Sequence, residues 1–159
     1  MTLTTHAVVG AAIAAAMPNH PVLGIVLAFA SHFALDAIPH WDYHLRSMAE
    51  DEANPLKNDM KFGWDFVIDL FKIGFDFLLG LVLGYLIGGW WLGLAGGLAG
   101  QLPDFLQFVY FKFRRPPITW LQRFHVWIHT SHKLKGKPLV GIASQLALII
   151  AVLLLVQYH

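Results

Sequence analysis

His32, Asp36 and His40 follow one another at i, i+4 and i+8, and His125, His129 and His132 at i, i+4 and i+7. Residues at those intervals share a helix face, so each set presents a column of ligating side chains to a neighbour. Asp65 and Asp69 form a third pair one turn apart, Asp104 follows Pro103 inside an apolar stretch, and His6 lies near the N-terminus. Imidazole and carboxylate are natural ligands of divalent metals. More than four such ligands suggest two or more ions, about 3.5–4 Å apart as in hydrolytic clusters. The metal ligands read from these positions are His6, His32, Asp36, His40, Asp104, His125 and His129. Asp69 is read as a further ligand or as the catalytic base that takes a proton from bound water. Zinc is the leading ion for this donor set, with manganese, magnesium and iron also compatible. Asp42 and His44 stand one step behind the ligands.

Each of these positions also has a plainer reading. His32, Asp36 and His40 can form a structural hydrogen-bonded set, and Asp104 can cap or break a helix beside Pro103. Asp69 and Asp76 bracket Lys72 at i−3 and i+4, which makes a local ion pair, the favoured reading for Asp76. Energetics weigh toward metal. An ionised Asp at the centre of a membrane helix costs roughly 2.5–3.5 kcal/mol, and a whole domain is stable by only about 5–15 kcal/mol.

The elements that must position these groups are apolar. Hydrophobic residues make up 57% of the 159 and charged residues 13%, against about 25% charged in an ordinary domain. Eleven Lys and Arg against ten Asp and Glu leave a net charge of +1, which excludes a disordered or nucleic-acid-coating chain, so no nucleic-acid partner is expected. There is no cysteine, which excludes disulfides, thiolate-bound zinc and a thiol nucleophile. No Gly-x-Ser-x-Gly elbow supports a serine hydrolase.

Apolar stretches of about 20 residues meet the length of a membrane-spanning helix. Pro138 to Gln157 is the clearest, and Phe62 to Gly88 and Trp90 to Phe111 are long enough. Thr4 to Met17 and Val22 to Ile38 are shorter and are joined by the turn Pro18-Asn19-His20-Pro21, as a helical hairpin. Ile118 to His129 reads as an amphipathic helix lying at an interface. Gly80, Gly84 and Gly88, and the pairs Gly93/Gly97 and Gly96/Gly100, have the small-xxx-small spacing that lets helices approach closely. The expected fold is therefore an all-α integral membrane bundle of five or six helices, one domain over residues 1–159, with a polar linker at 41–61. Lys112, Arg114, Arg115, Arg123, Lys133, Lys135 and Lys137 crowd into one segment, which the positive-inside rule places in the cytoplasm, on the same side as the His and Asp groups.

With those residues assembled, the chain resembles the prokaryotic inner-membrane proteins classed as metal-dependent hydrolases. The resemblance rests on Thr5-His6-Ala7-x-x-Gly10, on Pro39-His40-Trp41-Asp42-Tyr43-His44 and on His125-x-x-x-His129-Thr130-Ser131-His132. His40 stands where that family's pattern has its first acidic residue. A more distant similarity, through His32-Phe33-x-x-Asp36-x-x-Pro39, is to zinc-dependent phospholipase C and related nucleases. The resemblance implies a hydrolase in the inner membrane, working at the cytoplasmic leaflet among membrane lipids on a phosphoester such as a phospholipid. A proton or metal-ion transporter using Asp69, Lys72 and Asp76, and a non-catalytic helical subunit, are the alternatives.

Overall fold

The computed structural model of the chain describes residues 1–51, 53–130, 134 and 137–157. Among these, six α-helices run in the order α1 (Leu3–Ala15), α2 (Pro21–Asp36), α3 (Trp64–Gly88), α4 (Leu94–Lys112), α5 (Ile118–Ile128) and α6 (Pro138–Gln157). Two short strands, β1 (Met48–Ala49) and β2 (Asp59–Met60), lie between α2 and α3 and pair antiparallel, Met48 opposite Met60. α1 is the axis, with α2, α3, α4 and α6 all packed against it. Its small side chains explain this position. Ala7, Ala11 and Ala14 are wholly buried, so neighbours come close to its backbone from several sides.

The closest approach is between α1 and α4. A Cβ on Gly100 would collide with the His6 carbonyl oxygen, and a Cβ on Gly10 or on Gly96 would collide with the carbonyl of the other. On α3, Gly80 lies against Ala7 and Thr4, and Gly84 against Gly93 and Ala11. The glycine repeats are thus the contact faces that let three helix backbones meet. Gly89, at φ 71°, ends α3 in a conformation that side chains disfavour, and one π-helical turn (Gly89–Gly93) then leads into α4.

α1 has no cap of its own; α3 supplies one. The Asp76 carboxylate accepts from the backbone amides of Leu3 (2.7 Å) and Thr4 (3.1 Å) and lies 2.6 Å from the Thr4 hydroxyl. A carboxylate among the free amides of a helix start is favoured by both hydrogen bonding and the helix dipole. The expected Asp76–Lys72 pair is therefore corrected: Lys72 binds Asp69 instead, at 3.1 Å. On the far side, the Gln145 side chain of α6 accepts from the Thr2 amide and donates to the Trp41 carbonyl, tying α6 to the start of α1.

The segment at 41–61 is more than a linker. Its hairpin packs on the end of α4 through Met60, Tyr110 and Phe111, and the Tyr110 hydroxyl donates to the Leu56 carbonyl at 2.9 Å. Lys112 reaches Asp59 and the Met60 carbonyl. The amide and hydroxyl of Ser47 both donate to Asp69 at 2.8 Å, which fixes the segment to α3.

The membrane bundle expected from composition is corrected. By length and composition, one helix among the described residues, Pro138–Val156, suffices to cross a membrane. α1 and α2 have 13 and 16 residues, about 20 and 24 Å of helix against a hydrocarbon core of about 30 Å. α3 and α4 carry Asp69, Asp76, Gln101 and Asp104, whose polar atoms serve interior contacts. The inner-membrane location, the cytoplasmic sidedness and the membrane-lipid partner all rested on those spans, and fall with them.

Gly100→Ala is expected to lower stability by roughly 2–3 kcal/mol, because the His6 carbonyl is backbone and cannot step aside. Gly74→Ala, whose Cβ meets nothing within 4 Å in the interior of α3, is expected to raise stability by about 0.5–1 kcal/mol. Chemical denaturation of both variants, with unchanged slopes, checks the pair.

Candidate metal centre

Asp36 is the last residue of α2 and is 1% exposed. Five histidines turn Nε2 toward its two carboxylate oxygens. Oδ1 faces His6 at 3.2 Å and His40 at 3.7 Å. Oδ2 faces His125 at 3.0 Å, His32 at 3.2 Å and His129 at 3.9 Å. Asp104 adds a carboxylate oxygen 3.6 Å from His32 Nε2, and Asp42 one 3.2 Å from His40 Nε2. The N-terminal amine of Met1 lies 3.0 Å from Asp36 Oδ1 and 2.8 Å from Asp42 Oδ1.

Each contributor is delivered by a separate piece of local structure. α1 brings His6, held beside α4 by the glycine contacts and stacked on the His32 ring with 3.9 Å between centroids. α2 brings His32 and Asp36 one turn apart, and the extended chain beyond it brings His40 and Asp42. α4 brings Asp104. α5 brings His125, and the chain beyond α5 is tied across the end of α2. The Thr130 amide donates to the Asp36 carbonyl at 2.9 Å, and the Leu134 amide to the His40 carbonyl at 3.0 Å.

Backbone carbonyls orient the rings. His32 Nδ1 lies 2.8 Å from the Gly100 carbonyl, His40 Nδ1 2.7 Å from that of Ile38, and His129 Nδ1 3.2 Å from that of Thr130. An imidazole that donates through Nδ1 presents Nε2 as a lone pair, the arrangement that orients metal-ligating histidines. Lone pairs facing a carboxylate repel it unless a proton or a metal ion lies between. Both ring nitrogens of His6 and Nε2 of His40 are buried without a hydrogen-bond partner. Ligands about 2.0–2.2 Å from a common ion lie roughly 3.0–3.5 Å from one another, close to the separations around Asp36. Two sets, each with its donor atoms within 4.8 Å of one another, meet the requirement: His32, Asp36, Asp104 and His125, and Asp36, His40 and His129. The chain therefore carries a His/Asp cluster capable of coordinating a metal ion.

The charges fit that reading. Burial, reinforced by neighbouring His32, pushes the His6 imidazole down to about 4, so it stays neutral. Burial works against ionisation of Asp36 too, but the facing His125, His32 and His6 imidazoles and the Met1 amine outweigh it and hold the carboxyl far below the usual range. For His32 and the Met1 amine, burial is likewise outweighed, chiefly by Asp104 for His32 and Asp36 for the amine, and both are raised.

All seven of the histidines and aspartates read from sequence as metal ligands meet in or beside this cluster. Asp69 is not among them. It is wholly buried, accepts from Ser47 and pairs with Lys72. His132 lies outside the described residues. Asp42 joins the cluster more intimately than its sequence context indicated. The Gly100 carbonyl, which orients His32, and the Met1 amine carried no sequence signal at all.

Comparison of the chain with protein-family models, with curated proteins and with solved structures finds no match. The resemblance to the inner-membrane metal-dependent hydrolases and to zinc-dependent phospholipase C is thereby corrected. Its motifs are short, and their spacing is what any helix needs to put His and Asp on one face. The membrane-embedded hydrolase acting on a phospholipid or other phosphoester loses its support with them, and so does the transporter, whose Asp69 and Asp76 serve Ser47, Lys72 and the start of α1.

The neutral state of buried His6 has a consequence for acid stability. Between pH 6.5 and about 4 the unfolded chain binds a proton at His6 and the folded chain does not, so this group lowers stability as pH falls through that window. Metal-free His6→Gln protein is expected to lose stability less steeply than wild type between those limits. Denaturation midpoints measured along the pH series test this; parallel curves would refute it.

Proposed function

We propose that the protein is a divalent-metal-binding protein whose centre holds two ions bridged by the Asp36 carboxylate. His32, Asp36, Asp104 and His125 would hold one ion, and Asp36, His40 and His129 the other, with His6 beside them. The observation that carries this reading is the gathering of five histidine Nε2 atoms within 3.9 Å of one buried carboxylate, with donor atoms falling into two ligand sets that share Asp36. Charge supports it as well. Asp36, Asp42 and Asp104 bring three carboxylates to a cluster whose one fixed cation among the described residues is the Met1 amine. Zinc suits a mixed imidazole and carboxylate set, and manganese and iron are the competitors to test. Asp104 and His129 are 28% and 21% exposed, so the centre is open on their side. A bound ion would there have room for water or another small ligand from solvent, as at metal centres that do chemistry.

Protein purified without chelator is expected to contain about two equivalents of divalent metal by elemental analysis, in keeping with a carboxylate-bridged pair. Asp36→Ala is expected to abolish binding of both ions, while His129→Ala removes one. Metal added to stripped wild type should raise its melting temperature, since an ion that binds only the folded state stabilises it. Folded wild-type protein that neither retains nor takes up metal would sink the proposal.

A further inference from the structure

α3 has two apolar faces, and the fold uses one. Asp69, Asp76, Gly80 and Gly84 turn toward Ser47, α1 and the turn into α4. On the opposite side, Trp64, Ile68, Phe71, Phe75, Leu78, Val82 and Tyr85 recur at alternating intervals of four and three residues. That alternation over three heptads is the seam of a coiled coil. It contains no charge, no proline and no glycine. Trp64, Phe71 and Phe75 are 77%, 76% and 72% exposed, and Leu78, Val82 and Tyr85 are more than half exposed. Asp65 and Lys72 flank the seam, where coiled-coil helices carry their charges.

We propose that this seam is a self-association surface, on which α3 of a second copy of the chain packs to form a two-fold dimer. A 4–3 repeat of this length matches another helix with the same repeat, because each side chain enters a hole formed by four residues of its partner. An identical α3 meets that requirement, and a two-fold axis lets one patch serve both copies. The area is adequate. The four aromatic side chains can each bury roughly 150–250 Å², and at their exposures they supply on the order of 400–700 Å² per copy. Leu78 and Val82 bring the total toward the approximately 800 Å² each partner contributes to a stable interface. The exposed apolar residues of α2 (Val22, Leu23, Val26 and Leu27) fall in adjacent pairs and form no such seam.

The chain has no cysteine, so single-cysteine variants give an unambiguous test. Phe71→Cys, Phe75→Cys, Leu78→Cys and Val82→Cys would be treated with a short bismaleimide, beside Val22→Cys on α2 and Phe105→Cys on α4 as exposed controls. A covalent dimer is expected at one or more seam positions, several-fold above both controls. Adding Leu78→Lys to Phe71→Cys should abolish that dimer without changing the helical circular dichroism. Equal yields at seam and control positions would overturn the proposal, as would seam crosslinks that persist with Leu78→Lys. Seam cysteines that stay monomeric yet are shielded from a water-soluble maleimide would also overturn it, since something other than a second copy then covers α3.

Discussion

A carboxylate sealed among imidazoles needs a cation, and the site is organised around meeting that need at Asp36. Its oxygens are buried, so water cannot solvate the charge, and an unpaired buried ion costs several kcal/mol. Three of the surrounding histidines place Nδ1 against backbone carbonyls, which directs lone pairs inward. The resulting cage attracts positive charge and rejects further negative charge. α1, α2, α4, α5 and the chain after α2 all contribute a group to it. Loss of the central carboxylate therefore removes the common partner of elements distant in sequence.

That convergence depends on how closely backbones approach on α1. His6 reaches His32 because Gly100 leaves room for the His6 carbonyl, and the same Gly100 offers its own carbonyl to His32. One residue without a side chain thus sets both the distance between two ligands and the orientation of one. Asp76 serves the same end from the other side. By capping α1 it fixes the helix start, and with it the position of His6 one turn later.

The helices were legible from apolar runs and their breaks: Pro21 opens α2, and Pro138 opens α6. The residues around Asp36 were legible too, because i, i+4 spacing is a local property that survives in the chain. The hairpin at 41–61 was not. Its strands are two residues each and are held by Asp69, Tyr110 and Lys112, long-range partners that leave no local periodicity. Low charge content also misled. It reads as a measure of contact with lipid, whereas small residues at helix contacts account for part of it, since uncharged Gly and Ala dilute the charged share without lengthening any span.

The aspartates inside apolar stretches looked alike in sequence, and their partners separate them. Asp76 accepts from two backbone amides and a hydroxyl, and Asp69 from an amide, a hydroxyl and an ammonium. Such donors are fixed by the fold, satisfy an ionised carboxylate and leave nothing for a metal to add. Asp36 faces imidazoles, which are donors or acceptors according to where their protons lie. Three of them set Nδ1 against a backbone carbonyl, which in the neutral ring leaves Nε2 an acceptor, and the Met1 amine at 3.0 Å is the fixed donor beside Asp36 among the described residues. A buried carboxylate satisfied by amides and hydroxyls has a structural role, and one ringed by imidazoles has the donor set that a metal ion could use. By that criterion the polar interior divides into two classes, and among the described residues the group at Asp36 is the one in the second.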